Sequence, residues 1–301
     1  MNGKIIYLIL RVCNFHIILL HSKNRKYIIF AFVDSIIQNN HLKLVLKVSL
    51  SGFSFTVIDT LSNEILKIKE IDFANYKSPN NIEECYKIAF SKHTELTQKY
   101  NQIIVLHDNN LSGFVPLAMF DPQHLRNYLK YNIEVFETDF FAFDTLEKYQ
   151  INNVYIPYMN INNALLDFFP NFDYKHHSSV LIEKLLDLSK NVDQKQMFVH
   201  LGQNKFEIIV LQNQKLLFYN SFDFSAKEDL VYYLLFTAEQ LSLNPEFFTL
   251  KLLGNITQES ELFEFIYTYI RNVSLLDVSD LAKTNMLSAM QNLTHFILVQ
   301  P

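Results

Sequence analysis

The sequence predicts an α/β protein built by internal duplication: two β-β-β-α-β-α halves, with a small subdomain inserted in the first. Two observations carry this. Residues 48–73 (VSLSGFSFTVIDTLSNEILKIKEIDF) and 199–224 (VHLGQNKFEIIVLQNQKLLFYNSFDF) align without a gap, with Val48 on Val199, Phe55 on Phe206, Leu66 on Leu217 and Asp72-Phe73 on Asp223-Phe224. Each copy is then followed by the same succession of helical, extended and helical patterns. Solenoid repeats are shorter and more numerous, so two long copies point to a duplicated domain.

The elements follow from periodicity and turn chemistry. Alternating apolar and polar residues predict strands near 43–50, 53–59 and 64–70, with turns at Ser51-Gly52 and Ser62-Asn63. The second copy predicts strands at 196–201, 205–212 and 214–220, with turns at Gln203-Asn204 and Asn213-Gln214. Both are antiparallel meanders. Asn81 caps a helix over 82–98, with Glu84 at the third helical position, and Ser225 with Glu228 forms a capping box for a helix over 226–242. Strands QIIVLH (102–107) and TLKLLG (249–254) come next, then helices over 121–130, capped by Asp121 before Pro122, and 258–270. Between the copies, strands are expected at 132–139 and 153–157, and helices at 160–168 and 177–190. Leu230 to Phe236 is apolar nearly all round, which predicts a helix buried between layers.

These elements divide the chain into a first half over 41–175, with its insertion at about 110–158, and a second half over 176–301. With no Pro- or Ser-rich linker, the halves are expected to pack together. Residues 1–40 fit no element of the repeat. Their apolar stretch is interrupted by Arg11, Asn14 and His16, which suits neither a spanning helix nor a signal peptide. They are expected to form a loosely ordered extension, translated from a start placed too early.

Composition narrows the function classes. Apolar residues make up 49% and charged ones 19%, enough for a sizeable core. A net charge of -5 without basic blocks argues against a nucleic-acid partner. The two cysteines, Cys13 and Cys85, lack CxxC spacing, which fits a reducing, cytoplasmic compartment and no zinc site.

The stretch IIVLH (103–107), FVP (114–116), NNVYIPY (152–158) and NNALLDFFPNFDYKHHSS (162–179) is similar to the order seen in cell-division and type IV pilus members of the actin-like ATPase superfamily. VSLSGFSF (48–55), FVPLAMF (114–120), KEDLVYYLLFTAEQLSLNPE (227–246) and LLGNITQESELFEFIYTYI (252–270) resemble an uncharacterised bacterial domain-of-unknown-function family, family 3822, across residues 42–299. The resemblance implies a duplicated actin-like ATPase (ribonuclease H-like) fold. It brings no established activity.

It also implies a place to look. Active superfamily members bind ATP between the halves, on two hairpins written Asp-x-Gly-[Ser/Thr] and a third Gly-Gly signature. Here Ser49 and His200 stand at the Asp positions. Ser51, followed by Gly52, and Gly202 stand at the Gly positions, and Gly254-Asn255 replaces Gly-Gly. Mg²⁺ prefers hard oxygen ligands, so no metal and no cofactor are expected. The five glycines, none adjacent or one apart, do not make a phosphate cradle.

His200 reads either as a phosphate donor or pH-sensitive group, or as a satisfied histidine in a silent site. His176-His177 reads as cap or surface histidines, and His107-Asp108 as a turn at a strand end bordering the cleft. The leading expectation is a non-catalytic binding or scaffold protein with an unknown protein partner, nucleotide binding at most weak, and no membrane span. The alternatives are a divergent ATP-dependent phosphotransferase or ATPase and an adaptor of a membrane-associated assembly. Two carboxylates converging in the cleft would favour the enzyme, and a cleft filled by Phe and Tyr the scaffold.

Overall fold

The computed structural model describes residues 7–12, 15–22, 25–31, 41–75 and 81–300. It divides into two units, Met1–His41 and Leu42–Pro301. In the first unit, β1 (Tyr7–Val12), β2 (Phe15–Ser22) and β3 (Arg25–Ala31) form an antiparallel meander. The sequence reading expected no regular element there, and much of residues 1–40 lies outside the described residues.

The second unit contains two five-stranded mixed sheets and one small sheet. The first large sheet is built from β4 (Leu42–Val48), β5 (Gly52–Asp59), β6 (Glu64–Asp72), β7 (Gln102–His107) and, in parallel beside β7, β11 (Asp173–His176). The second uses β12 (Gln196–Leu201), β13 (Lys205–Gln212), β14 (Lys215–Asp223), β15 (Thr249–Gly254) and β16 (Asn272–Leu275). Their strand orders, β11-β7-β4-β5-β6 and β14-β13-β12-β15-β16, are the same order twice. The small sheet, β8 (Ser112–Pro116), β10 (Ile151–Tyr155) and β9 (Ala142–Leu146), is the insertion in the first half.

Ladder register corrects the ungapped alignment. Val48 pairs with Phe53 and Leu201 with Phe206, so Phe53, not Phe55, is the counterpart of Phe206. The two bulges agree: Val57/Ile58 in one sheet and Val210/Leu211 in the other. In β6 and β14 the original alignment holds, since Asp72 lies opposite Gly52 and Asp223 opposite Lys205. The first meander's second turn, residues 60–63, is two residues longer than the second's, residues 213–214. A slip of two leaves every side chain on the same face of a strand, so the ungapped match still looked coherent.

The helices form the outer and central layers. α1 (Ile82–Lys92) and α3 (Met159–Leu166) cover the outer face of the first sheet. α5 (Lys227–Gln240) and α6 (Glu261–Tyr267) cover that of the second. α4 (His177–Leu188), α7 (Ser279–Asn285) and α8 (Ala289–Thr294) pack between the sheets, where Val45 and Leu106 from one and Phe198 and Leu253 from the other share a core with Leu181 and Leu293. Asn81 caps α1 through the Glu84 N–H at 2.8 Å.

Several elements differ from the reading. The N-cap of α5 is Ala226, one residue later than expected, because the Asp229 carboxylate reaches back to the N–H groups of Ser225 and Ala226. α2 is only Leu125–Leu129: Asp121 closes a turn onto the Gln123 N–H, so the helix starts after His124. The strand expected at 132–139 lies instead at β9, and β8, β11 and β16 were not read as strands. Each of those three is only four or five residues long, too short to show a period.

Candidate functional site

A cleft of about 450 Å³ opens between the β4–β5 and β12–β13 hairpins. The turns match: the Ser49 N–H donates to the Gly52 carbonyl and the Gly202 N–H to the Lys205 carbonyl, each at 2.9 Å. Of the residues singled out in the sequence, Ser49, Ser51, Gly52, His200, Gly202 and Asn255 line this cleft, and Gly254 does not. Register changes the pairing between halves. Ser49 is the counterpart of Gly202, and the counterpart of His200 is Lys47.

Most of the expected site residues have backbone work. The Ser49 hydroxyl donates to the Gly52 carbonyl and lies 3.2 Å from the Ser51 hydroxyl, and the Tyr86 hydroxyl donates to the Ser49 carbonyl. A Cβ on Gly52 would sit 2.2 Å from the Ile71 carbonyl oxygen. Gly254 has φ +91, and a Cβ there would sit 2.3 Å from the Leu201 carbonyl oxygen. The Asn255 N–H donates to that same carbonyl at 2.7 Å. Gly52 and Gly254 are therefore demanded by the fold itself, with no ligand needed to account for them.

The floor of the cleft is a charged network the sequence did not disclose. Asp108, just after β7, receives Lys47 at 3.2 Å from its own half and Lys205 from the other. Burial pushes its carboxyl up, but Lys47, His177 and Lys205 together outweigh that and hold it well below the usual range. Glu207, on the core-facing side of β13, accepts from His177 Nε2 at 3.0 Å, His200 Nδ1 at 2.8 Å and the Tyr219 hydroxyl at 2.7 Å. Burial again pushes upward, and the two histidines hold Glu207 well below the usual range.

Both ring nitrogens of His177 lie beside oxygens, Nε2 at Glu207 and Nδ1 at the His107 carbonyl, each at 3.0 Å. Burial holds His200 below the ordinary histidine value, against the pull of Glu207. The mouth is acidic: with both lining lysines paired to Asp108 on the floor, the carboxylates of Glu70, Asp72 and Asp223 remain. Among the described residues, no group of three or more His, Cys, Asp or Glu is placed to hold a metal ion.

The paired histidines are both fully buried, which corrects the surface half of the expectation. His176 does cap α4. Asn109 is oriented by donating to the Ile156 carbonyl, so its oxygen accepts from His176 Nε2, and His176 Nδ1 then accepts from the Ser178 hydroxyl at 2.6 Å. This Ser-His-Asn row is closed to solvent and fixes a helix start.

His107 is buried too, accepting from the Tyr158 N–H at Nδ1, and burial lowers its pKa to about 4. The unfolded chain takes up that proton near pH 6.5. Between these values the unfolded state binds more protons, so folded stability falls as pH drops from 6.5 to 4, by about 3 kcal/mol for this one group. Melting curves across this range should show the fall, and His107→Leu should make it shallower, leaving the share of two other buried histidines, His176 and His200.

Comparison with known proteins places the whole arrangement. Residues 34–273 match the family described as "Protein of unknown function (DUF3822)". The chain belongs to that family. No curated protein matches this DUF3822 chain. A Bacteroides thetaiotaomicron protein "with actin-like ATPase fold and unknown function" is similar to it at 21% identity and TM-score 0.73, over 87% of this chain and 96% of that one. A chain of the "PilM-PilN type IV pilus biogenesis complex" is similar at 11% identity and TM-score 0.59, over 85% of this chain and 96% of that one. The DUF3822 chain thus has the actin-like ATPase fold, with two mixed five-stranded sheets and a small inserted sheet.

Proposed function

We propose that this DUF3822 protein is a non-catalytic binding or scaffold protein on an actin-like ATPase fold. The observation that carries this is the commitment of Asp108 on the cleft floor and of Glu207 buried behind it. Asp108 is spanned by two lysines, and Glu207 accepts from three side-chain donors. Phosphoryl transfer relies on a metal to position and neutralise the phosphates. A carboxylate already surrounded by cations is a poor metal ligand, and the acidic mouth repels a polyanion. The partner is a protein in this reading. The similar PilM chain belongs to a complex with PilN, and no helix among the described residues is long and apolar enough to cross a membrane. A cytoplasmic setting and work without a cofactor belong to the same proposal, and the buried free thiol of Cys85 agrees with a reducing compartment.

The gathering of Asp108 with Glu70, Asp72 and Asp223 around the cleft favours a second reading, a divergent phosphotransferase. It requires Lys47 and Lys205 to release Asp108 when nucleotide arrives. Calorimetric titration of ATP with and without Mg²⁺ separates the two. The scaffold reading expects weak or undetectable binding that Mg²⁺ does not strengthen. Binding tightened by Mg²⁺ would favour the phosphotransferase.

A further inference from the structure

A helix apolar over most of its circumference normally lies between layers. α5 does not. Leu230, Val231, Leu234 and Ala238 pack on the second sheet, while Tyr232 and Phe236 are 62% and 47% exposed on the opposite face. The two exposed rings stack, with centroids 6.1 Å apart and planes at 17°.

The stack continues inward. Tyr232 meets Tyr233 edge-on at 5.3 Å, Tyr233 lies on Phe222 at 4.3 Å, and Phe222 on the fully buried Phe206 at 5.5 Å. A continuous row of rings therefore runs from the core to the surface. Rings held this way have little rotamer freedom left to lose when a partner covers them, and preorganised aromatic anchors dominate binding energy.

Charge defines what covers them. Glu228 and Glu239 are exposed on the same stripe, about one turn before Tyr232 and one after Phe236. The one cation of α5, Lys227, lies off this stripe, on the sheet-packed side, where it is bound to Glu261 and lies over the Phe265 ring. We propose that Glu228, Tyr232, Phe236 and Glu239 form a docking stripe for a basic amphipathic segment of a partner protein, its apolar side chains on the ring pair and its Lys or Arg residues on the two glutamates. A second copy is a poor occupant, since stripes paired in either direction set glutamate against glutamate. An anionic membrane surface is repelled by the same acids. The proposal deepens the binding-protein reading but uses no cleft residue, so nucleotide assays and this one fail separately.

The test uses the full chain and a short synthetic helical peptide with leucines four residues apart, flanked by lysines, read by fluorescence anisotropy. A matched peptide carries glutamate in place of lysine. The lysine peptide should bind, and its affinity should fall about tenfold or more in Tyr232→Ala/Phe236→Ala. It should fall similarly in Glu228→Lys/Glu239→Lys, which should instead gain binding of the glutamate peptide, a gain that misfolding cannot mimic. Absent binding, or equal binding by all variants, would overturn the proposal. Association with phosphatidylglycerol vesicles, or dimerisation in sedimentation, that disappears in the aromatic variant would overturn it in favour of a membrane or a second copy.

Discussion

Glu207→Gln is expected to lower the melting temperature of the protein by on the order of 10 °C, because removing one partner of a buried charge network costs about 3–5 kcal/mol. Three donors converge on this carboxylate: His177, His200 and the Tyr219 hydroxyl. Glutamine keeps the shape, but its amide N–H groups must face at least one of those donors, and the buried carboxylate that accepts from all three is lost. The folded-state pKa of Glu207 is depressed, so its contribution is fully present above the ordinary carboxylate range and is lost as pH falls through the lower folded value. The gap between wild type and variant should therefore be undiminished at pH 7 and at pH 5, and should close only in stronger acid. Thermal melts at several pH values check both parts. A gap within experimental error at neutral pH would mean that the network is not what joins α4 to the second sheet.

Gly254→Ala is the second large effect. At φ +91 an alanine is strained, which costs about 1–3 kcal/mol, and relieving the contact with Leu201 adds a similar amount. A loss of about 4 kcal/mol is expected in urea denaturation. If Gly254 were retained to admit a nucleotide, alanine would leave stability nearly unchanged and alter ligand binding instead. The steric reading expects the loss in the absence of any nucleotide.

Much of this fold could be read from residues. The meanders, α1, β7 and β15 were legible because alternation, caps and turn residues agree over long segments. α2 was overread because Asp121-Pro122 looks like a helix start, whereas the Asp121 side chain closes a turn. β11 and β16 were missed because a four-residue strand carries no measurable period, although both occupy the same place in the duplicated sheet order. The two hairpins singled out in the sequence do border a cleft, but the charges around it could not be read from the same pattern. Lys47 was hidden by an alignment two residues out of register. Lys205 and Asp108 meet across the halves, a contact no local pattern contains. One signal was available: Glu207 is a lone acid among apolar residues on the core-facing side of β13, and a buried charge must find partners. The exposure of Tyr232 and Phe236 was not legible, since a helix apolar nearly all round does not announce which face stays outside.

ATP turnover by the purified protein in the presence of Mg²⁺, measured beside a His200→Ala variant, tests the central claim most directly. The closed Asp108 and Glu207 pairings predict phosphate release indistinguishable from background for both proteins. Turnover that scales with protein concentration and is lost in His200→Ala would contradict the non-catalytic account and give His200, held by Glu207 at the wall of the cleft, a catalytic role.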